Sequence, residues 1–484
     1  MTSSSSSPSL ASCHFSGLAG GGMSALAWYL RLSGRAASGS DRAFDKGDAA
    51  VAATRAAMEH AGIRVTPQDG SGLTTDTTAL VVSTAIEGDS PEIKRAKELG
   101  VPVLHRSELL ALLSEEKKTI AVAGTSGKST VTGMIWQILD AASPQSESAP
   151  SLITGANLPS LTEKGLPGNA FAGGGDWLVI EADESDGSLV RYRPEIAVLL
   201  NIEKDHQEID ALMPLFATFR ERSKKAAVNA RDARCVSLRQ KGDTEFDPNE
   251  AMMSAGGFIV EDVSFGDWDS TFRWRGVSFR VPVPGRHNVE NALAALAVAT
   301  IVGVKPEDAA RGLAAFKGVE RRYVRVGEAN GITVVDDFAH NPAKVRAALE
   351  TGARLARKSG GRLLALFHPH GFAPMKLVGR DIMEEAAHAL GPKDSLYVPP
   401  IYYAGGTADQ SISSKDLVAH LNAQSGVAGR VAEQPAGIAP ESKDAALAAV
   451  TAAARPGDVI LSMGARDPAL GDFAKRLLAA LETR

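Results

Sequence analysis

Cysteine is almost missing from this chain. Its 484 residues hold only Cys13 and Cys235, which excludes a disulfide framework or a cysteine zinc site and fits a reducing, cytoplasmic setting. Long apolar runs are missing too: none reaches the roughly 20 residues that cross a bilayer. The Ser-rich start, Thr2–Ser9, has neither a basic region nor an apolar core. It reads as a disordered tail over residues 1–12 rather than a signal peptide. A basic excess is the third absence. The net charge of -5 excludes the footprint of a broad nucleic-acid binder, so neither nucleic acid nor a membrane is an expected partner.

What is present is length, ordinary apolar content and frequent glycine. At roughly 150 residues per domain the chain divides into about three, and 47 glycines suit an α/β protein with many tight turns. Strand-like and helix-like segments alternate through three blocks, which predicts parallel sheets.

The middle block opens on the most specific motif. Thr119–Ala123 reads as a buried strand and Val131–Leu139 as a helix, with Gly124-Thr125-Ser126-Gly127-Lys128-Ser129-Thr130 between them. Glycines let backbone amides close around phosphate oxygens, and the starting helix adds its positive end. Lys128 would neutralise terminal phosphates and Ser129 would place a hydroxyl on Mg²⁺. The strict Walker pattern wants a glycine at Val122, so this is a compact variant. The strand Trp177–Ile180 then ends in Glu181-Ala-Asp183-Glu184-Ser-Asp186. Its four carboxylates fall where open α/β sheets bind ligands. With hydroxyl and phosphate oxygens they suit a hard cation; a solvated acidic loop is the plain alternative. Ile196–Leu200 leads into Asn201-Ile-Glu-Lys-Asp205-His206, where His206 is either structural or a further arm of the same site. Phe272–Pro284 alternates as a hairpin, and Gly285 opens an Ala-rich helix. Asn288 and Asn291 share one face of its start, to read a purine edge or to cap the helix.

The first block has a strand near His14–Phe15, a turn at Gly17–Gly22, a helix from Met23 to about Leu32, and Asp41 at the end of the next strand-like segment. That is the layout of a nucleotide-binding βαβ unit. Leu80–Ser83, Pro91–Leu99 and Val101–Leu104 continue it as strand, helix and strand. The third block begins near Val319. Ile332–Val335 is a strand followed by Asp336-Asp337-Phe338-Ala-His340-Asn341-Pro342, and Leu363–Phe367 is followed by His368-Pro-His370. These two histidines lie too close in an extended segment to chelate one metal easily, so a substrate loop is expected there. Val459–Leu461 gives another strand, with Gly464 after it.

Taken in order, the motifs resemble the Mur ligase family, the ATP-dependent amide-forming enzymes of peptidoglycan synthesis, over nearly all the chain after its tail. The carriers are Gly124–Thr130, His14-Phe-Ser-Gly-Leu-Ala-Gly-Gly-Gly-Met-Ser24, Ser38-Gly-Ser-Asp41, Ser83-Thr-Ala-Ile with Ser90-Pro-Glu, and Glu181–Asp186. The resemblance implies three α/β domains: a Rossmann-like UDP-sugar domain over 13–118, a P-loop ATP domain over 119–318 and a Rossmann-like amino-substrate domain over 319–484. It implies ATP and Mg²⁺ as cofactors. The implied substrates are UDP-N-acetylmuramate and an amino acid or short peptide, on a monomer or homodimer. Gly17, Gly20, Gly22, Asp41 and Ser83 would hold the UDP-sugar, and Lys128 the ATP phosphates. Ser129, Glu181 and His206 would hold metal, while Asn288 and Asn291 would face the adenine. Arg321 or Arg322 and Asp337 would close on ATP. Lys128, Glu181, His206 and His340 would carry catalysis, with His370 and Lys376 at the amine. The implied reaction activates a muramyl carboxylate as an acyl phosphate that the amine then attacks, with hinges near Lys118 and Gly318.

The third block departs from the family pattern. Alanine-adding members carry a Pro-His-Arg-Tyr-Ser/Thr-Arg loop, whereas this chain has Pro369-His370-Gly371-Phe372-Ala373-Pro374, without either arginine. Phe338 and Met375-Lys376 look more like the branch that attaches a whole recycled tripeptide. L-alanine is the default amine and a preformed tripeptide the alternative. A catalytically inactive nucleotide-binding homologue is the alternative of another class.

Overall fold

The computed structural model describes residues 9–143, 145–184, 187–203, 208–247, 260–403, 409–424, 436–465, 467 and 469–484. The chain forms two compact units, Met1–Glu320 and Arg321–Arg484. No helix among the described residues is long and apolar enough to cross a membrane.

In the first unit, one sheet of five described strands runs in the order Arg64–Val65, Ala36–Ser40, Ser12–Ser16, Ala79–Val82, Val103–His105, and every pairing is parallel. Its helix Pro91–Leu99 has the bounds expected from sequence. Ser90 caps it, Pro91 supplies the first turn, and Gly100 ends it at φ 70°. The last strand starts at Val103, later than expected, because Pro102 has no amide to give; its carbonyl instead accepts from Leu80 N at 2.9 Å.

A second sheet places Lys118–Ala123 between Ile196–Leu199 and Trp177–Glu181, parallel to both. The strand is apolar on both faces because helices and neighbouring elements cover both. Ile120 and Val122 join the core that holds Trp136 and Leu293, while Ala121 and Ala123 join a second core with Phe15, Leu26 and Ile180. That second core is shared by both sheets and crosses Lys118, where a hinge was expected. Trp136, buried on the helix Lys128–Ala142, donates to Pro150 O at 3.0 Å. Truncating such a side chain to alanine costs roughly 3–5 kcal/mol. Ser270–Trp274 and Val277–Val281 pair antiparallel, as the alternation predicts.

In the second unit the described strands run Val324–Ala329, Ile332–Asp337, Val459–Gly464, Leu363–His368, Ser395–Tyr397, Gly437–Ile438. The strand Ile332–Asp337 is longer than its apolar pattern suggested. Asp336 pairs with Ser462 and Asp337 with Met463, so both acids lie in the sheet.

Candidate active site

The carboxyl ends of the first sheet's strands bring Gly17, Asp41 and Ser83 to one cleft of about 580 Å³. Gly20 and Gly22 line it as well, with Arg42, Gln68 and Arg106, and Thr154, Glu181 and Asp183 line it from the second sheet. The helix Gly21–Leu32 starts at Gly20 without a side-chain cap, so its amide end is directed at this space. Asp41 braces the turn. Its Oδ2 accepts from Ala19 N at 2.9 Å and its Oδ1 from Ala43 N at 2.8 Å. Beneath lies a buried polar network: His14 Nε2 is 3.0 Å from Glu92 Oε1, and Ser40 Oγ donates to the same oxygen at 2.6 Å. Ser16 Oγ donates to the other. Burial pushes the Glu92 carboxyl up, but the hydrogen bonds from His14, Ser16 and Ser40 outweigh it and hold it below the usual carboxylate range. The floor of the cleft is thereby fixed to the helix Pro91–Leu99.

At the centre of the second sheet, Gly124–Gly127 form a closed loop before the helix Lys128–Ala142. The helix starts three residues before its expected position because Gly127, at φ 90°, takes the cap position. A Cβ there would lie 2.7 Å from Asn291 Oδ1. Gly124, at φ 149°, leaves room for Leu200, whose Cβ would be 2.8 Å from an added Cβ. Asn201 ties the loop down: its Oδ1 accepts from Ser126 N at 2.8 Å and its backbone carbonyl from Thr125 N at 3.1 Å. Thr125 Oγ1 donates to Glu203 O at 3.1 Å. Ser129 is buried in the first helical turn and Thr130 is half-buried beside it. Lys128 Nζ donates to Gly124 O at 2.7 Å and to Glu184 Oε2 at 2.8 Å. Asn291 Nδ2 donates to Asn288 Oδ1 at 3.1 Å, and Asn288 Nδ2 donates back to Pro284 O at 2.7 Å. Asn288 therefore ties the helix start to the segment before it and does not cap the helix, which has no side-chain cap, while Asn291 faces the loop.

Glu181 pairs in register with Val122, next to the loop. Its Oε1 accepts from Thr154 Oγ1 and from Gly155 N, the latter at 3.1 Å. His206 lies outside the described residues. The structure thus gathers Gly17, Gly20, Gly22, Asp41, Ser83 and Glu181 on one cleft, and Gly124–Thr130 with Asn291 around one loop.

The second unit carries its polar residues at the carboxyl ends of its central strands. Arg321, at φ 59°, donates to Gly464 O at 2.7 Å and to Asp336 Oδ2 at 3.3 Å. Arg321 and Arg322 both stack on the Phe338 ring, at 5.1 and 4.8 Å. Burial raises the Asp337 carboxyl, with Arg322 opposing, and pushes Asp336 up to about 7 against the pull of Arg321. His340 lies 5.8 Å from His370, ring to ring, and its Nδ1 is 2.8 Å from Phe338 O. A carbonyl only accepts, so Nδ1 carries a proton here, and in the neutral ring Nε2 is the nitrogen that bears the lone pair. Lys376 is paired with the exposed Asp409. The expected substrate loop does not include His368. It is the last residue of the strand Leu363–His368, buried against Phe473 at 4.8 Å, because the strand runs one residue further than its apolar run.

Two participants were not singled out from sequence: Asn201 locks the loop Gly124–Gly127, and Arg106 lines the cleft and reaches Asp183 at 3.5 Å. Glu184, expected as one of four carboxylates at the strand end, holds Lys128. Asn201 follows a parallel strand end and Arg106 starts the helix after one. A systematic reading of the first polar residue after each strand would have found both.

Three family models match the chain in order: the Mur ligase family catalytic domain over residues 12–118, the Mur ligase middle domain over 122–299, and the Mur ligase glutamate ligase domain over 321–466. The chain is similar to the UDP-N-acetylmuramate–L-alanine ligase of Chelativorans sp., with 34% identity over 473 residues, 93% of this chain and 94% of that protein. Among solved structures, the UDP-N-acetylmuramate–alanine ligase of Thermotoga maritima gives a TM-score of 0.75 at 23% identity, covering 98% of this chain and 99% of that one. A murein peptide ligase of Psychrobacter arcticus gives 0.67 at 24% identity, with coverage of 98% and 99%. Both show the shared three-domain α/β fold. The chain belongs to the Mur ligase family and is an ATP-dependent ligase that forms amide bonds.

Proposed function

We propose that this ligase joins the carboxylate of UDP-N-acetylmuramate to the amino group of L-alanine, with ATP and Mg²⁺, as a cytoplasmic step of peptidoglycan precursor synthesis. The observation that carries the reading is the continuity of the glycine-lined cleft with Glu181, which sits in register beside the strand of the phosphate loop. A sugar nucleotide in the cleft would extend its acyl end toward that loop. The printed name of the curated relative supports the substrate pair. In this reading residues 13–118, 119–318 and 319–484 take the UDP-sugar, the ATP and the amine.

The donor set fits a hard cation. The Ser129 hydroxyl and the Glu181 carboxylate are oxygen donors, and Mg²⁺ takes only one or two protein ligands beside phosphates and water; His206 would be a further ligand. When bound, the cation offsets charge between two anions that must meet. The loop amides and Lys128 orient the terminal phosphates. A carboxylate oxygen of the muramyl group forms a bond to the γ-phosphorus as the bond to ADP breaks. The amine nitrogen then bonds to the acyl carbon, phosphate leaves, and the surplus proton goes to a base. His340, with a proton on Nδ1, would be that base through Nε2 of its neutral ring, and His370 and Lys376 would meet the amine. Arg322 and Asp337 would meet the nucleotide.

A second reading, with a preformed tripeptide as the amine, is favoured by one feature of the second unit. The stretch after His370 has no guanidinium, and Phe372 packs edge-on to Tyr403 at 5.3 Å. Mass spectrometry of the product tests the two directly: the UDP-sugar gains one alanine residue in the first and the whole peptide in the second.

A further inference from the structure

Lys128 has a partner to which the proposed reaction gives no part. Its Nζ donates to Glu184 Oε2 at 2.8 Å, to Glu184 Oε1 at 3.1 Å and to Gly124 O at 2.7 Å. Glu184 is buried and Lys128 half-buried, with 8% of the glutamate side chain and 17% of the lysine side chain exposed. An ammonium has three N–H donors, and these contacts direct them at one carboxylate and one carbonyl. Phosphate oxygens arriving at Lys128 must therefore compete with Glu184.

We infer that Glu184 is a positioning residue that holds Lys128 in the loop and yields it to nucleotide phosphates, tying phosphate binding to cation binding at the Glu181–Glu184 strand end. The inference rests on the nucleotide site proposed above. Two observations link the exchange to a cation. Glu184 is buried, which raises its carboxyl, and Lys128 is the main force holding it ionised. Asp183 already disfavours that charge, and Glu181 ends the same strand. A Glu184 released beside the phosphates therefore adds like charge to an acidic strand end. Unless a divalent cation or a proton compensates it, the repulsion counts against the nucleotide. Wild-type protein is expected to bind nucleotide much better with Mg²⁺ than without.

The test is calorimetric titration with ADP, in EDTA and in Mg²⁺, on the full chain. Glu184→Gln frees Lys128 and removes the stranded charge, so metal-free ADP affinity should rise about tenfold, the order of one charge-assisted hydrogen bond. The ratio of affinities with and without Mg²⁺ should fall accordingly. Glu184→Asp keeps the charge but is one methylene short, and should give a smaller rise; it carries the test if the glutamine variant loses its melting transition. Most of the gain should vanish when Lys128→Ala is added. A metal-free affinity no higher than wild type in a folded variant overturns the inference, as does a gain that persists in full without Lys128. A wild-type protein that binds ADP neither with nor without Mg²⁺ instead overturns the nucleotide site itself.

Discussion

Asp41 Oδ2 accepts the Ala19 amide at 2.9 Å, so the acid expected at the sugar nucleotide also fixes the shape of the glycine turn. Asp41→Ala removes that acceptor together with the cap at Ala43, a loss of roughly 0.5–2 kcal/mol for the cap alone. The dissociation constant for UDP-N-acetylmuramate should rise on the order of tenfold. Asp41→Asn should recover part of it, since asparagine caps nearly as well. Calorimetric titration decides; an unchanged constant in Asp41→Ala would show that the turn needs no brace.

Gly127→Ala should damage the phosphate loop in two ways. Its φ of 90° is a conformation that costs an L-residue roughly 1–2 kcal/mol. The new methyl would also meet Asn291 Oδ1 at 2.7 Å. ADP binding should weaken severely and the melting temperature of the first unit should drop. Adding Asn291→Ala relieves the contact but not the backbone strain, so the double variant should recover stability only in part. Full recovery would mean that the backbone conformation is unimportant.

What could be read from sequence was what is local. The helix Pro91–Leu99 was bounded by Ser90, Pro91 and Gly100, each acting within a few residues. The loop Gly124–Thr130 is contiguous, and its spacing marked it as the candidate phosphate loop. Its restraints are not contiguous with it, because Asn201 is 75 residues from Ser126 and Glu184 is 56 from Lys128. Nothing in the chain order announces that these meet; the parallel sheet does it by placing three strand ends side by side. Asp336 shows the opposite failure. A charged residue looked like the end of a strand, yet Arg321 and the neighbouring strand keep it in the sheet.

Asp336 and His368 should oppose each other in the pH dependence of the second unit. Burial pushes Asp336 up to about 7, and burial pushes His368 down to about 3, with Asp467 raising it and Lys443 and Arg321 lowering it further. Between about pH 4 and 6.5 the unfolded chain carries an ionised Asp336 and a protonated His368, whereas the folded chain carries neither charge. The raised aspartate contributes stability that is full below about pH 4 and is lost as pH rises toward 7. The depressed histidine contributes stability that is full above about pH 6.5 and is lost as pH falls toward 3. Each slope is at most about 1.4 kcal/mol per pH unit, and the two offset. Burial raises Asp337 as well, so the variants are compared with wild type: Asp336→Asn should make the slope of stability between about pH 4.5 and 6 more positive, and His368→Gln should make it more negative. Hydrogen exchange of the Val334 and Ile460 amides in the full chain reads this. Changes of slope in the same direction in both variants would contradict it.

The central claim is that the phosphate loop and the glycine-lined cleft serve one reaction, activation of a muramyl carboxylate for an amine. Phosphate release from ATP tests it most directly, with UDP-N-acetylmuramate, Mg²⁺ and either L-alanine, glycine, L-serine or the recycling tripeptide. Release should require both the UDP-sugar and an amine, be fastest with L-alanine, and fall by roughly 10²-fold or more in Lys128→Ala, the scale of losing a donor aimed at developing charge. No release with any amine, from protein that binds both ATP and the UDP-sugar, would contradict it.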